Sequence, residues 1–339
     1  MMAPTFKQKI GCWLNERWRM ELVLRAPALS RRMGWRWQDL CNRHEQLSRC
    51  DEEGRGCLWE HSSLLTPCRF FPQLGGRLLE HVSQAHPFSM EMQANTGPVS
   101  AIIPVRGTDR GKVLFFVASA LRAVCGPESE VLVCEHDVEP HHRHDWPEGI
   151  RHVFIPTAEG EAFNKSKALN AGALAARHPM LLLHDADVWP PADYVSRCVG
   201  LMMREGWEAV RPIRFLFLLD EAQSGAAMAS GSIRGIQAVP KVQQNNPGLS
   251  SFVRRDVYME LGGHDERFTG WGWEDMEFLD RLRTRKWYSG SFLPAIHLWH
   301  AIPPAKKIGD WNSQRLQQIL AEPVAQRIER GRRQLEGRG

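Results

Sequence analysis

The sequence predicts an α/β fold: a mostly parallel sheet with flanking helices, preceded by a Cys/Trp-rich, helical extension. Three observations lead there. Short apolar, β-branched runs recur at 99–105, 131–134, 152–155 and 180–183. Helical patterns fall between them at 113–124 and 164–176. Pro104, residues 135–137 and residues 185–187 lie at the carboxyl ends of those runs, where open parallel sheets collect their ligands.

Taken in order, residues 1–95 form an extension with helical patterns at 13–24 and 74–82, closed by a turn or linker at 95–98. The α/β domain spans 96–304. Its helix from 164 starts at Asn164, a good N-cap. A strand-like run at 291–293 is followed by a Pro294 turn, and a further helix covers 275–282. Residues 305–339 form a tail in which 311–335 reads as one basic amphipathic helix on the surface. No internal repeat is visible.

Composition sets limits. The 339 residues are 43% hydrophobic and 24% charged, ordinary for a globular chain. A net charge of +4 makes no overall case for nucleic acid. No apolar stretch approaches the ~18 residues that span a bilayer. Lys7, Lys9, Glu16, Arg17, Arg19 and Glu21 interrupt the first thirty residues, so no hydrophobic signal core is expected there. The expectation is a cytoplasmic chain with reduced thiols, leaving peripheral membrane contact open. Five of the eight cysteines (Cys12, Cys41, Cys50, Cys57, Cys68) lie in the extension with His44 and His61. Their spacing matches no common zinc module, so buried free thiols are expected.

The chemistry concentrates in four places. Asp185 and Asp187 end the run at 180–183. In an extended backbone residues two apart share a face, so both carboxylates are expected to project into one place, suited to Mn²⁺ or Mg²⁺ and a diphosphate. A lone aspartate before Pro190-Pro191 would read as a turn residue; the pair at a strand end favours the cation. His297 and His300 are imidazoles that join Asp187 as a three-ligand set. Glu274 and Asp275 open a helix after the turn 270–273. The helix dipole alone favours acids there, yet such a position also holds a carboxylate rigidly enough to take a hydroxyl proton. Trp271 and Trp273 offer flat surfaces to sugar rings. Lys165, Lys167 and Arg106 are either surface charges or positive potential for a diphosphate. His136, His141, His142 and His144 read as a solvated loop.

The motifs VSAIIPVR (99–106), FNKSKALNAG (163–172), DAD (185–187), GGHDERFTGWGWEDMEFLDRL (262–282) and HLWH (297–300) occur in the order found in GT-A-fold glycosyltransferases. The front half resembles family 2. The later block resembles the galactosyltransferase/N-acetylgalactosaminyltransferase C-terminal domain of family 7. The resemblance covers roughly 99–300 and neither end of the chain. It implies a nucleotide-sugar donor, usually UDP-linked, a glycan or other hydroxyl acceptor, and a metal-dependent inverting transfer. Pro104, Arg106, Phe163, Lys165, Asp185 and Asp187 match donor-binding positions. Asp187, His297 and His300 match metal ligands, Asp275 the catalytic base, Glu274 and Trp271 sugar contacts. Three departures stand out. Lys165 replaces a common arginine, Trp273 replaces a usual glycine, and Gly107-Thr108 lack a basic residue often found after the first strand. A sugar nucleotidyltransferase and a non-catalytic nucleotide- or sugar-binding module are the alternatives; the first would want a glycine-rich, basic phosphate loop after the first strand, of which Arg106–Gly111 is a weak version, and it gives the WGWED block no task.

Overall fold

The computed structural model describes residues 5–59, 61–94, 97–143, 146–270, 272–301 and 311–337. Its strands, in chain order, are β1 (Leu47–Arg49), β2 (Arg55–Cys57), β3 (Ser63–Leu64), β4 (Val99–Val105), β5 (Glu130–Asp137), β6 (Ile150–Pro156), β7 (Met180–His184), β8 (Val188–Trp189), β9 (Ala209–Val210), β10 (Ile213–Leu218), β11 (Lys241–Gln244), β12 (Ser250–Arg254), β13 (Trp287–Tyr288) and β14 (Leu293–His297). A seven-stranded sheet runs in the order β13-β9-β12-β7-β4-β5-β6. Within it β7, β4, β5 and β6 are parallel, and β12 runs antiparallel to both of its neighbours. The expected mostly parallel α/β architecture is therefore present.

The four parallel strands explain themselves. β4 and β5 are buried at every residue, so both faces must be apolar. Alternate side chains sort into two cores. Ala101, Ile103, Val131, Val133 and Leu182 face one, with the helix Gly111–Cys125. Ile102, Leu132, Cys134, Leu181 and Leu183 face the other, with the helix Lys165–Ala175. That second helix lies close because Gly172 has no side chain: a Cβ there would sit 2.4 Å from Ile102 Cγ2.

A second, five-stranded sheet, β3-β11-β10-β14-β8, was not anticipated. It corrects one reading. Pro294 is not a turn; it lies inside β14, in register with Phe215 of β10. A proline is tolerated there because the register shifts at that point.

The extension is joined to the rest of the molecule. It contributes β3, which pairs with β11, and shares the larger core through Met20, Val23, Trp37 and Leu78. The fully buried Arg214 guanidinium of β10 donates to the Gln38 and Leu40 carbonyls at 2.9 and 2.6 Å. Of the cysteines expected to be buried there, Cys12 and Cys68 are, Cys41 and Cys57 are half-buried, and Cys50 is exposed.

The tail also departs from expectation. It forms two helices, Trp311–Leu320 and Val324–Glu336, parted at Pro323 because proline cannot continue the first. Neither is merely solvated. Leu316, Ile319 and Leu335 are buried, and Arg327 donates to Glu277 at 2.8 Å inside the protein. The backbones at Gly331 and Gly262 pass so closely that a Cβ on Gly331 would stand 2.4 Å from the Gly262 carbonyl.

Candidate functional site

The site lies at the carboxyl ends of the parallel strands and is assembled by backbone pairing between the two sheets' segments. After β7, residues 185–187 turn into β8, which pairs antiparallel with the end of β14: Trp189 opposite Ile296, Val188 opposite His297. The Leu298 amide then donates to the Asp187 carbonyl at 2.9 Å. The ladder brings together segments more than a hundred residues apart.

The backbone of 185–187 is a turn and not extended, so the two carboxylates do not share one task. Asp187 meets His300 Nε2 at 3.0 Å and His297 Nε2 at 3.8 Å, all on its Oδ2. Its ligand-type oxygen and the two imidazole nitrogens lie within 4.8 Å of one another. Asp185 turns instead to Lys165, 3.0 Å away.

The donor set suits a cation. His300 Nδ1 faces the Ala301 carbonyl at 2.8 Å, which can only accept. With Nδ1 held by that carbonyl, Nε2 is the ring nitrogen turned toward the Asp187 carboxylate, and a divalent ion between them would take a lone pair from each. One carboxylate and two imidazoles match Mn²⁺ well and leave positions open for phosphate oxygens. Burial would raise the Asp187 carboxyl, but the His300 hydrogen bond, His297 and Arg110 outweigh it and hold it well below the usual carboxylate range.

Arg110 is the residue the sequence reading missed. It donates to Asp187 Oδ2 at 2.9 Å. It stands in the loop after β4, where Gly107-Thr108 appeared to lack a basic group. The only signal was its place in the Arg-Gly-Thr-Asp-Arg-Gly loop at 106–111.

Asp275 lies in a second cluster. Lys165 Nζ reaches Asp275 Oδ2 at 2.9 Å, Asp185 Oδ1 at 3.0 Å and Glu274 Oε1 at 3.2 Å. One ammonium thus faces three carboxylates. Burial pushes Glu274 up to about 7, helped by the neighbouring Asp275 charge and opposed by Lys165. Burial would also raise Asp275, but the Lys165 ammonium and the nearby His264 ring hold it well below the usual range. His264 Nε2 is 3.7 Å from Asp275 Oδ1. Its own ring is fixed by stacking on Phe278, by Tyr258 OH at 3.0 Å, and by its backbone N–H donating to Asn170 Oδ1 at 2.8 Å. This supporting set was not singled out from sequence. Gly248 closes the cluster: a Cβ there would stand 2.2 Å from Asp275 Oδ2.

The remaining predicted residues are distributed as follows. Pro104 is buried within β4 opposite Cys134. Arg106 donates to the Glu161 carbonyl at 2.6 Å and stands 3.5 Å from Asp137. The Phe163 carbonyl accepts from the Gly270 amide at 2.7 Å, tying the segment before the helix Lys165–Ala175 to the WGWED turn. Asn164 caps its helix, its Oδ1 accepting from the Lys167 amide at 2.8 Å. Trp271 lies outside the described residues. Trp273 is half-buried and packs toward Phe268, Leu316 and Ile319. Its φ of 76° lies in the left-handed region that favours glycine.

The histidine-rich loop needs correction. His136 is a buried residue of β5, and His142 is buried with Nε2 2.9 Å from the Gly107 carbonyl. The buried Glu135 carboxylate draws the loop inward by accepting from the His141 and His142 amides. His144 lies outside the described residues.

A family model described as glycosyltransferase-like family 2 matches residues 126–288. No curated protein matched the chain. Among solved structures, the Drosophila β1,4-galactosyltransferase 7 catalytic domain in complex with xylobiose matches at 16% identity, covering 66% of this chain and 79% of that one, TM-score 0.38. A mutant of the Drosophila enzyme in complex with manganese, UDP-Gal and xylobiose matches at 17% identity, covering 56% and 61%, TM-score 0.32. Residues 126–288, which contain the DAD turn, Lys165 and Asp275, form a glycosyltransferase family 2-like domain, and the chain is a glycosyltransferase.

Proposed function

We propose that this enzyme moves a hexosyl or N-acetylhexosaminyl group from a UDP-sugar to a hydroxyl of a glycan or similar acceptor, with inversion at the anomeric carbon. The observation that carries the reading is the convergence of Asp187, His297 and His300 within 4.8 Å. Mn²⁺ or Mg²⁺ held there would neutralise the diphosphate as it leaves. Arg106 and Arg110 add positive potential on the same side. Asp185 and Asp275 are bridged by one Lys165 ammonium, so the base candidate lies next to the diphosphate end of the site.

In the transfer step Asp275 takes the acceptor hydroxyl proton, and the oxygen attacks the anomeric carbon from the face opposite the leaving UDP. Lys165 holds one oxygen of Asp275, and the His264 ring stands 3.7 Å from the other. A diphosphate near Asp185 competes for the Lys165 ammonium, which makes Asp275 a stronger base once donor is bound.

A second assignment of the base has its own support. Glu274 is buried and pushed up to about 7, nearer the value a base needs at neutral pH. The two assignments separate cleanly. With UDP-sugar, Mn²⁺ and acceptor, Asp275→Asn lowers kcat by at least about a hundredfold and leaves UDP binding intact, in line with general-base contributions. If Glu274→Gln loses turnover instead while Asp275→Asn retains it, Glu274 is the base. If neither variant loses turnover, the transfer mechanism is wrong.

A further inference from the structure

The first 33 residues hold seven basic and two acidic side chains, a net +5 against +4 for the whole chain. The remainder of the protein sums to about neutral, its basic tail offset by an acidic middle, so this segment is one of two basic ends of the chain. From Phe6 to Arg25 the segment is helical, widened by one π turn at Trp13–Arg17.

Its two faces are unlike. Cys12, Met20 and Val23 are buried against the protein. Phe6, Ile10, Trp13 and Leu14 are exposed by 79%, 42%, 55% and 59%. Their spacing of i, i+4, i+7 and i+8 places them on one stripe, pointing away from Cys12. Lys7 and Lys9 are exposed beside the stripe, and Arg19 lies exposed further along. Glu21 adds little negative charge to the surface, because Arg17, Arg25 and Arg77 all pair with it at 2.7–2.9 Å.

We propose that this face docks on an anionic lipid bilayer, with the helix lying in the headgroup plane. An aromatic and aliphatic stripe flanked by lysines and arginines is what such an interface binds: the rings enter the acyl boundary and the cations stay at the phosphates. Among the described residues no helix is long and apolar enough to cross a membrane, so the helix lies on the surface. The charge argues against a second copy as the occupant. A two-fold interface sets a patch against itself, which would bring two +5 segments together.

The test is flotation of the full chain with vesicles of phosphatidylcholine alone or with added phosphatidylglycerol. Wild type floats with the anionic vesicles and more weakly, or not at all, with the neutral ones. Trp13→Ala/Leu14→Ser lowers partitioning about tenfold or more, given the apolar area removed. Lys7→Glu/Lys9→Glu lowers it about fivefold or more for each cation lost and removes the preference for anionic lipid. All these positions are exposed, and UDP release in solution stays at the wild-type rate in both variants. Equal flotation of wild type and variants, or no flotation with either vesicle, overturns the proposal. A concentration-dependent dimer that the Trp13→Ala/Leu14→Ser variant abolishes overturns it in favour of self-association.

Discussion

Replacing Lys165 by methionine tests the electrostatic frame of the site. The ammonium is 17% exposed and stands 2.9–3.2 Å from oxygens of Asp185, Glu274 and Asp275, which are 27%, 7% and 24% exposed. At about 3 Å and an effective dielectric constant of about 20, each contact is worth roughly 5 kcal/mol before desolvation. Most of that is offset by burying the charges. Breaking a buried pair while leaving its partner charged typically costs about 3–5 kcal/mol, and this variant leaves three carboxylates facing each other. The expected loss is therefore about 3–5 kcal/mol near pH 8.

The pH dependence has a definite sign. In the wild type the Asp275 carboxyl is depressed by Lys165, so its stabilisation is present above the ordinary carboxylate value of about 3.9 and is lost as pH falls below it. In the variant the crowded carboxylates are raised. Their repulsion is full at pH 8 and is relieved as they bind protons toward pH 5, Glu274 first. The gap between wild type and variant in urea-unfolding free energy should shrink from pH 8 to pH 5. A loss that stays constant with pH would reduce Lys165 to a packing role, and no loss at all would refute the cluster.

Two further outcomes follow from the same geometry. Mn²⁺ at a hundredfold excess over its Kd should stabilise the wild type by about 2.7 kcal/mol; Asp187→Ala should abolish that rise in Tm, and retention of the rise would place the ion elsewhere. Arg110→Ala should weaken UDP binding about ten- to a hundredfold by calorimetry in the presence of Mn²⁺, the loss of one charge-assisted contact; unchanged affinity would leave Arg110 only as a partner of Asp187.

The legible parts of the fold were the ones whose burial imposes a pattern. β4, β5 and β7 must be apolar on both faces, and a continuous apolar run betrays that. The second sheet leaves no such trace. β11 reads Lys-Val-Gln-Gln, and β14 contains a proline that argues against a strand. Their pairing is a property of distant segments, and local sequence does not carry it. The site divides in the same way. The convergence of Asp187, His297 and His300 was readable through motif order. Arg110 was not, because nothing in its own neighbourhood links it to Asp187, 77 residues further along. The burial of Arg327 was hidden for a related reason: its partner Glu277 lies 50 residues earlier, and an arginine in a basic helix looks like surface until that partner is placed.

The Arg214 side chain has a consequence for anyone who would divide this protein. An excised 96–339 fragment would carry a fully desolvated guanidinium with its carbonyl acceptors at Gln38 and Leu40 gone. It would also bare the hydrogen-bonding edge of β11, an open invitation to intermolecular sheet growth. The first 95 residues are thus a structural lining of the transferase, and whatever else they recognise must be done from their outward side alone.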